Sequence, residues 1–378
     1  MKAKSYQTLT FIYIIIFEHL LITMKRNDIR TIAFYLPQFY PTPENDRWWE
    51  PGFTEWTNVA SAKPFFKGHY QPKLPRDLGF YDLRVPETRE RQAQLAREAG
   101  IEGFCYWHYW FGGGKRLLSE VFDAVVKSGK PDFPFCLCWA NHSWYAKTWK
   151  PNAPNKLLME QTYPGVEDYE AHFMTMLSAF RDKRYIKVNG KLLFGVFIGS
   201  DIPDCHLFFD TWNRLAAEHG LPGFHFFSLA QGQQRIDKLK GLGFDRIVTD
   251  AYSDVIKEDS LFIRRLRRLL HRPTIVDYSH YAKRALEFFK RNSTCTPCID
   301  PNFDHTPRSG FRGNLLHGST PEKWGELCRM TKDYIQHNEA IDNLLFIKSW
   351  NEWGEGNYLE PDRRWGKAYI EETAKALK

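Results

Sequence analysis

From residue 29 onward, short runs of apolar, β-branched and aromatic residues alternate with stretches whose apolar positions recur at helical spacing. The runs predict strands at 29–35, 101–107, 135–139, 192–198, 224–229, 246–249 and, last, 344–350. One more strand falls at 274–276 or, preferred here, in the run ending at Cys298 and Ile299. Helices are predicted between them. One carries Gln92, Leu95, Ala96 and Ala99 and stops at Gly100; others cover 117–126, 169–180, 208–219 and 263–270. Thr320, Pro321 and Glu322 open another, and 369–377 closes the chain.

Continuous apolar strands separated by helices imply parallel strands covered on both faces. Eight such units predict an α/β protein closed as a (β/α)8 TIM barrel in a single domain. An open doubly wound sheet competes, but no glycine-rich phosphate turn follows strand one, and Gly112, Gly113 and Gly114 after strand two lack the spacing of a nucleotide cradle. There is no internal repeat and no linker rich in Pro, Gly or Ser, so the domain is expected to span 25–378. Residues 1–24 are set aside as a leader. Lys2 and Lys4 precede an apolar run at 9–17, but Glu18 and His19 interrupt it and no cleavage site follows. Translation is expected to start at Met24.

Composition refines this picture in three places. With 43% hydrophobic and 26% charged residues among 378, the chain has the make-up of a packed globular protein and not of a disordered one. Aromatics reach 16%, with 13 Trp, which suits either an aromatic-lined cleft or a Trp-rich core. The net charge of +7 is scattered except in Arg264, Arg265, Arg267, Arg268 and Arg272, which interleave with Leu266, Leu269 and Leu270 as a basic amphipathic helix. A solvated face is the favoured reading there; contact with anionic inner-membrane lipid or an acidic glycan is the alternative. Nucleic acid is excluded as a partner, because no binding motif or dense basic stripe accompanies the charge. The seven cysteines, including Cys136-x-Cys138 and a lone Cys295-x-x-Cys298, form no metal or disulfide framework and are expected to be buried thiols. No metal site and no cofactor is expected: HExxH is missing, and Asp304 with His305 offers too few ligands.

In a barrel of this kind the active site lies at the carboxyl ends of the strands. Polar and aromatic residues gather there. Strand one ends in Tyr35, Leu36, Pro37 and Gln38, strand two in Tyr106, Trp107, His108 and Tyr109, and strand three in Trp139, Asn141 and His142. The last strand runs into Trp350, Asn351, Glu352, Trp353 and Glu355. Each alone has a packing explanation; their recurrence at one end of successive strands points to a substrate face. Glycosidic-bond chemistry generally takes two carboxyl groups, so Glu352 and Glu355 are the candidate catalytic pair. Trp350 and Trp353 are expected to lower the dielectric around them and push the two titrations apart.

At these residues the chain resembles the WbsX-like glycosyltransferases, themselves similar to glycoside hydrolase family 99 (endo-α-mannosidases and endo-α-mannanases). The segments that carry the resemblance run in order from AFYLPQFYPTPENDRWW and GFTEWTNVASAKP through GHYQPKLPRDLGFYDLR, GFCYWHYWF, FCLCWANHSW and DHTPR to SWNEWGEGNYLEPD. They cover nearly everything from Ile32 onward. The resemblance implies a (β/α)8 barrel, a base at Glu352 and an acid at Glu355. It implies a role in lipopolysaccharide and O-antigen synthesis, in the cytoplasm near the inner membrane, on a glycan or lipid-linked oligosaccharide with a nucleotide sugar as candidate donor. Beyond the two glutamates, the candidate substrate-binding residues are Tyr35, Gln38, Trp56, Tyr106, His108, Trp139, Asn141, Asp304, Arg308, Trp350, Asn351 and Trp353. The chain departs from the family twice. Asn141-His142-Ser143-Trp144 replaces Asn-Glu-Asn-Trp, and Phe197-Ile198-Gly199 replaces Tyr-Arg-Pro. Both bear on which sugar is accepted. A retaining hydrolase and a non-catalytic glycan-binding barrel are the competing functions.

Overall fold

The computed structural model describes residues 28–148, 154–258 and 261–378; the expectation of a leader at 1–24 lies outside them. Eight parallel strands form one closed sheet: β1 (Arg30–Tyr35), β2 (Gly103–Trp110), β3 (Phe135–Trp139), β4 (Lys191–Val196), β5 (Phe224–Gln231), β6 (Arg246–Asp250), β7 (Thr296–Ile299) and β8 (Leu344–Ile347). Each pairs with the next, and β8 returns to β1. A helix follows every strand: α1 (Pro86–Glu98), α2 (Glu120–Ser128), α3 (Val166–Phe180), α4 (Cys205–Glu218), α5 (Gln233–Leu239), α6 (Tyr278–Arg291), α7 (Pro321–Gln336) and α8 (Ala368–Leu377). The fold is thus the (β/α)8 barrel predicted from the alternation.

Helix starts follow local chemistry. Thr320 accepts from the Lys323 amide ahead of Pro321, Asp277 from the His280 amide, and Asp204 from the Leu207 amide, each satisfying a donor that a first turn leaves unpaired. Two barrel helices escaped prediction. α5 is short, with only Ile236 and Leu239 buried, and the buried stripe of α6 runs through Tyr278, Tyr281, Ala282 and Ala285 before reaching Phe288 and Phe289. The predicted helix at 263–270 exists as Leu261–Leu269, but it is an excursion between β6 and α6. Of the two candidate seventh strands, Thr296–Ile299 joins the barrel. Thr274–Asp277 pairs in parallel with Asn314–His317 in a separate small sheet.

Strand register decides what the barrel contains, because successive side chains point to opposite faces. Phe34 lies level with Cys105, Trp107 with Cys138, Cys138 with Gly195, Gly195 with Phe227, and Cys298 with Phe346. This set faces inward, where Phe34 stacks on Trp107 and tilts against Phe346, which meets Phe227. The opposite set faces the helices. All seven cysteines are buried free thiols, as expected.

Candidate active site

Following the inward parity to the carboxyl ends of the strands leads from Phe34 to Leu36, from Cys105 to Trp107 and Tyr109, and from Gly195 to Phe197. It leads likewise from Phe227 to Gln231 and from Phe346 to Lys348. Every residue reached in this way lines one cavity of about 350 Å³, together with Ala140, His142, Trp144, Tyr252, Ser253, Phe303, Arg308, Glu352 and Glu355. That volume falls within the range of small-ligand sites.

The two glutamates reach the cavity from a tightly braced loop after β8. The Ser349 hydroxyl donates to the Asn357 carbonyl at 2.7 Å and accepts from the Glu352 amide at 2.9 Å, while Asn351–Glu352 pairs antiparallel with Asn357–Tyr358. Asn351 fastens the loop to the end of β1: its Oδ1 accepts from the Leu36 amide at 2.8 Å and its Nδ2 donates to the Leu36 carbonyl at 3.0 Å. Both glycines of the Trp-Gly-Glu-Gly run are required by their surroundings. A Cβ on Gly354 would run into the Glu55 carboxylate, and Gly356 turns at φ +56° with Asp304 and Lys73 packed against it.

Lys348 lies between the two acids, 3.2 Å from Glu355 Oε2 and 3.8 Å from Glu352 Oε2. Glu352 Oε1 accepts from the Trp107 indole at 2.7 Å. Glu355 Oε1 accepts from Arg308 Nη1 at 2.6 Å, and the same guanidinium reaches the fully buried Glu55 at 3.0 Å. Glu55 starts a short helix, Glu55–Ser61, capped by Thr54.

These environments separate the two titrations. Burial pushes the Glu352 carboxyl up to about 7, with Lys348 pulling the other way and Glu355 adding to the rise. Burial also disfavours the Glu355 anion, but Lys348, Arg308 and His305 outweigh it and hold its pKa well below the usual carboxylate range. For Lys348, burial favours the neutral amine, yet Glu355, Glu352, Asp300 and Asp250 together hold the pKa above the ordinary lysine value. Asp250 ends β6 and Asp300 directly follows β7, both with the same inward parity. Burial raises both, and the Asp300 charge raises Asp250 further. Five carboxyls thus share two cations, so part of the cluster stays protonated near neutrality.

The candidate residues divide by parity. Tyr35, Tyr106, His108 and Trp139 do not line the cavity: they sit one position off the inward set and point at the helices. Tyr35 donates to Gln92 of α1 at 2.7 Å, and Tyr106 packs on Tyr35 and on Phe122 of α2. The His108 Nε2 lies 2.7 Å from the Nε2 of His172 on α3, and Trp139 donates to the Trp110 carbonyl. A one-residue offset along a strand reverses the face, and their neighbours Trp107 and Tyr109 take the inward places. Gln38 is buried but does not line the cavity, and Trp56 donates to the Tyr81 carbonyl while packing on Phe39 and Trp353. Trp350 and Trp353 lie behind the loop, against Phe104 and Tyr358, so the ring that shields Glu352 is Trp107 instead.

Asn141 does not enter the cavity but fastens its rim, bonding both the amide and the carbonyl of Ile198. This fixes His142 beside Phe197, so both departures from the family pattern face the cavity. Asp304 bonds His69, Gln71 and Thr306 on the wall of a smaller neighbouring cavity of about 220 Å³. Arg308 lines the main one. Sequence reasoning missed Lys348 and Glu55. A lysine directly after the apolar β8 run, four residues before Glu352, was the available signal for the first. Glu55 lay inside a quoted motif with nothing local to single it out. Among the described residues, no group of three or more His, Cys, Asp or Glu side chains is arranged to hold a metal ion.

Solved structures share this architecture. A protein titled glycoside hydrolase-like matches with a TM-score of 0.61 at 15% identity, covering 93% of this chain and 94% of its own. The GH99 endo-alpha-mannosidase from Bacteroides thetaiotaomicron matches with a TM-score of 0.52 at 14% identity, covering 92% and 96%. At such identities the likeness is one of fold. The chain itself belongs to the family described as Glycosyltransferase WbsX, which matches residues 31–373. The protein WxcX of Xanthomonas campestris pv. campestris is 34% identical over 347 residues, 92% of this chain and 49% of the relative. The chain therefore spans about half the length of the curated relatives it matches.

Proposed function

We propose that this enzyme makes or rearranges a glycosidic bond in a bacterial surface polysaccharide, of the lipopolysaccharide or O-antigen kind, using Glu352 and Glu355 as its reacting carboxyls. The observation that carries the reading is the pair itself: two buried glutamates from one turn flank one lysine in an aromatic-walled cavity, where burial raises one carboxyl and the cations hold the other low. Trp107, Tyr109, Trp144, Phe197 and Tyr252 offer rings to the C–H faces of a sugar, and Gln231, His142 and Arg308 offer polar atoms to its hydroxyls.

A group titrating near 7 is suited to passing a proton at neutral pH, so Glu352 gives a proton to the leaving oxygen or takes one from the attacking hydroxyl. The resemblance implies an acid at Glu355, but two cations within 3.2 Å work against its holding a proton. We assign the proton traffic to Glu352 and keep Glu355 ionised beside the positive charge that develops on the sugar ring. A lipid-linked oligosaccharide and a nucleotide sugar are the proposed acceptor and donor, met at the cytoplasmic face of the inner membrane.

The test is to incubate purified protein with lipid-linked oligosaccharide and nucleotide sugars and to read the products by mass spectrometry. Glu352→Gln and Glu355→Gln should each lower product formation by about 10²-fold or more while the protein stays folded. The wild-type rate should bend near neutral pH, and that bend should vanish in Glu352→Gln alone. Undiminished product from both variants would end the two-glutamate reading. Oligosaccharide cleaved by water without a nucleotide sugar would make the enzyme a hydrolase. Unchanged glycan binding and cellular phenotype in both variants would make it a binding barrel.

A further inference from the structure

An amphipathic helix on a folded domain ordinarily turns its apolar stripe inward. The helix Leu261–Leu269 does the reverse. Phe262, Ile263, Leu266, Leu269 and Leu270 recur at one, four, seven and eight positions from the first, and all are exposed, with Phe262 at 74%, Leu269 at 75% and Leu270 at 59%. The segment 261–272 holds five arginines and no acidic residue. Arg265 and Leu269 border a shallow groove with Phe311 and Arg312, which belong to the connection after β7.

The place of this surface in the barrel gives it meaning. The helix interrupts the connection after β6, so it stands at the carboxyl ends of the strands, the end that carries the acid cavity. A hairpin of Trp144–Tyr145 and Leu157–Met159, in the connection after β3, lies at that same end. It exposes Tyr145 and Leu157, with Lys147 over the Tyr145 ring. Apolar and basic groups thus recur on connections that surround one mouth.

We propose that the helix Leu261–Leu269, with Leu270 and the Phe311–Arg312 turn, docks on the anionic surface of a lipid bilayer. Two signals combine in such docking: apolar side chains enter the boundary between headgroups and acyl chains, and arginines meet lipid phosphates. A solvated helix face accounts for the arginines but not for the exposed Phe262, Leu269 and Leu270. An acidic glycan has no apolar depth to receive those three. A second copy would set the exposed Arg265 and Arg272 against the same pair, a like-charge contact that opposes association. Docking in this orientation turns the acid cavity toward the membrane, where a lipid-linked glycan presents its sugar. That consequence rests on the proposed function; the docking itself does not.

Sedimentation of the full chain with vesicles tests the docking without any substrate. One set contains about 30% phosphatidylglycerol in phosphatidylcholine and the other phosphatidylcholine alone. Wild-type protein should pellet with the anionic set, and added salt should weaken this binding. Phe262→Ser, Leu269→Ser and Leu270→Ser combined should cut the bound fraction about tenfold or more. Arg265→Glu with Arg272→Glu should abolish the preference for anionic vesicles. Circular dichroism confirms folding of both variants. Wild-type protein that stays in the supernatant, or a triple variant that pellets normally, overturns the proposal. So does a dimer in light scattering that the triple variant dissolves, since a second copy would then cover the stripe. Glu352→Gln should pellet like wild type, so a failed docking and a failed catalytic reading give different results.

Discussion

Replacing Lys348 with methionine keeps the length of the side chain and removes the charge that two glutamates share. In the wild type the ammonium lies 3.2 Å from Glu355 and 3.8 Å from Glu352, with only 8% of its side chain exposed. At an effective dielectric near 20, unit charges about 4 Å apart attract by about 4 kcal/mol, equivalent to about 3 pH units on a carboxyl titration. Arg308 still holds Glu355, so the larger change falls on Glu352, whose remaining strong partner is the uncharged Trp107 indole. Its pKa should climb from about 7 well into the alkaline range. The direction of the stability effect follows from linkage. Wild-type Glu352 keeps a proton that the unfolded chain has released, so stability falls as pH rises from the unfolded value to about 7 and then levels. In Lys348→Met the fall continues to higher pH. The difference between the two proteins should therefore widen from about pH 7 to about pH 10 and reach about 3–5 kcal/mol, the cost of leaving a buried charge uncompensated. Denaturant unfolding across that range, with carbon NMR titration of labelled glutamate, measures both quantities. A difference that stays flat with pH, or one that grows in acid, would refute the shared-lysine arrangement.

Two further outcomes follow from the same geometry. Gly354→Ala places a methyl against the Glu55 carboxylate beneath the loop, so it should cost about 1–3 kcal/mol in unfolding and lower product formation by displacing Glu355; a variant with wild-type stability and turnover would show the loop to be looser than described. His142→Glu restores a carboxylate where the resembled family has one, at a cavity wall where burial now holds the imidazole neutral with a pKa of about 4. It should change which sugar is accepted more than it changes the maximal rate, and an unchanged product profile by mass spectrometry would remove His142 from sugar selection.

Much of this molecule is written in local patterns. Alternating apolar strands and amphipathic helices specify a parallel sheet covered on both faces, and eight repeats leave closure as the economical arrangement. The acid pair was also legible, because Glu352 and Glu355 sit in a run whose glycines and asparagines have no reason to follow an apolar strand except to build a turn. What the pattern could not say is which residue of each strand end faces inward. Tyr106 and Trp107 are equally aromatic and adjacent; only pairing with β1 and β3 sends one to the helices and the other to Glu352. Partners distant in sequence were hidden for the same reason. Glu55, Arg308 and Glu355 form one ion-paired row across 300 residues, and Lys348 gains its role from Asp250 and Asp300, which lie at the carboxyl ends of other strands. Sequence periodicity thus determined the elements and their order. Burial, register and charge balance are properties of the closed barrel, and they alone determine that one glutamate titrates near neutrality while its neighbour remains an anion.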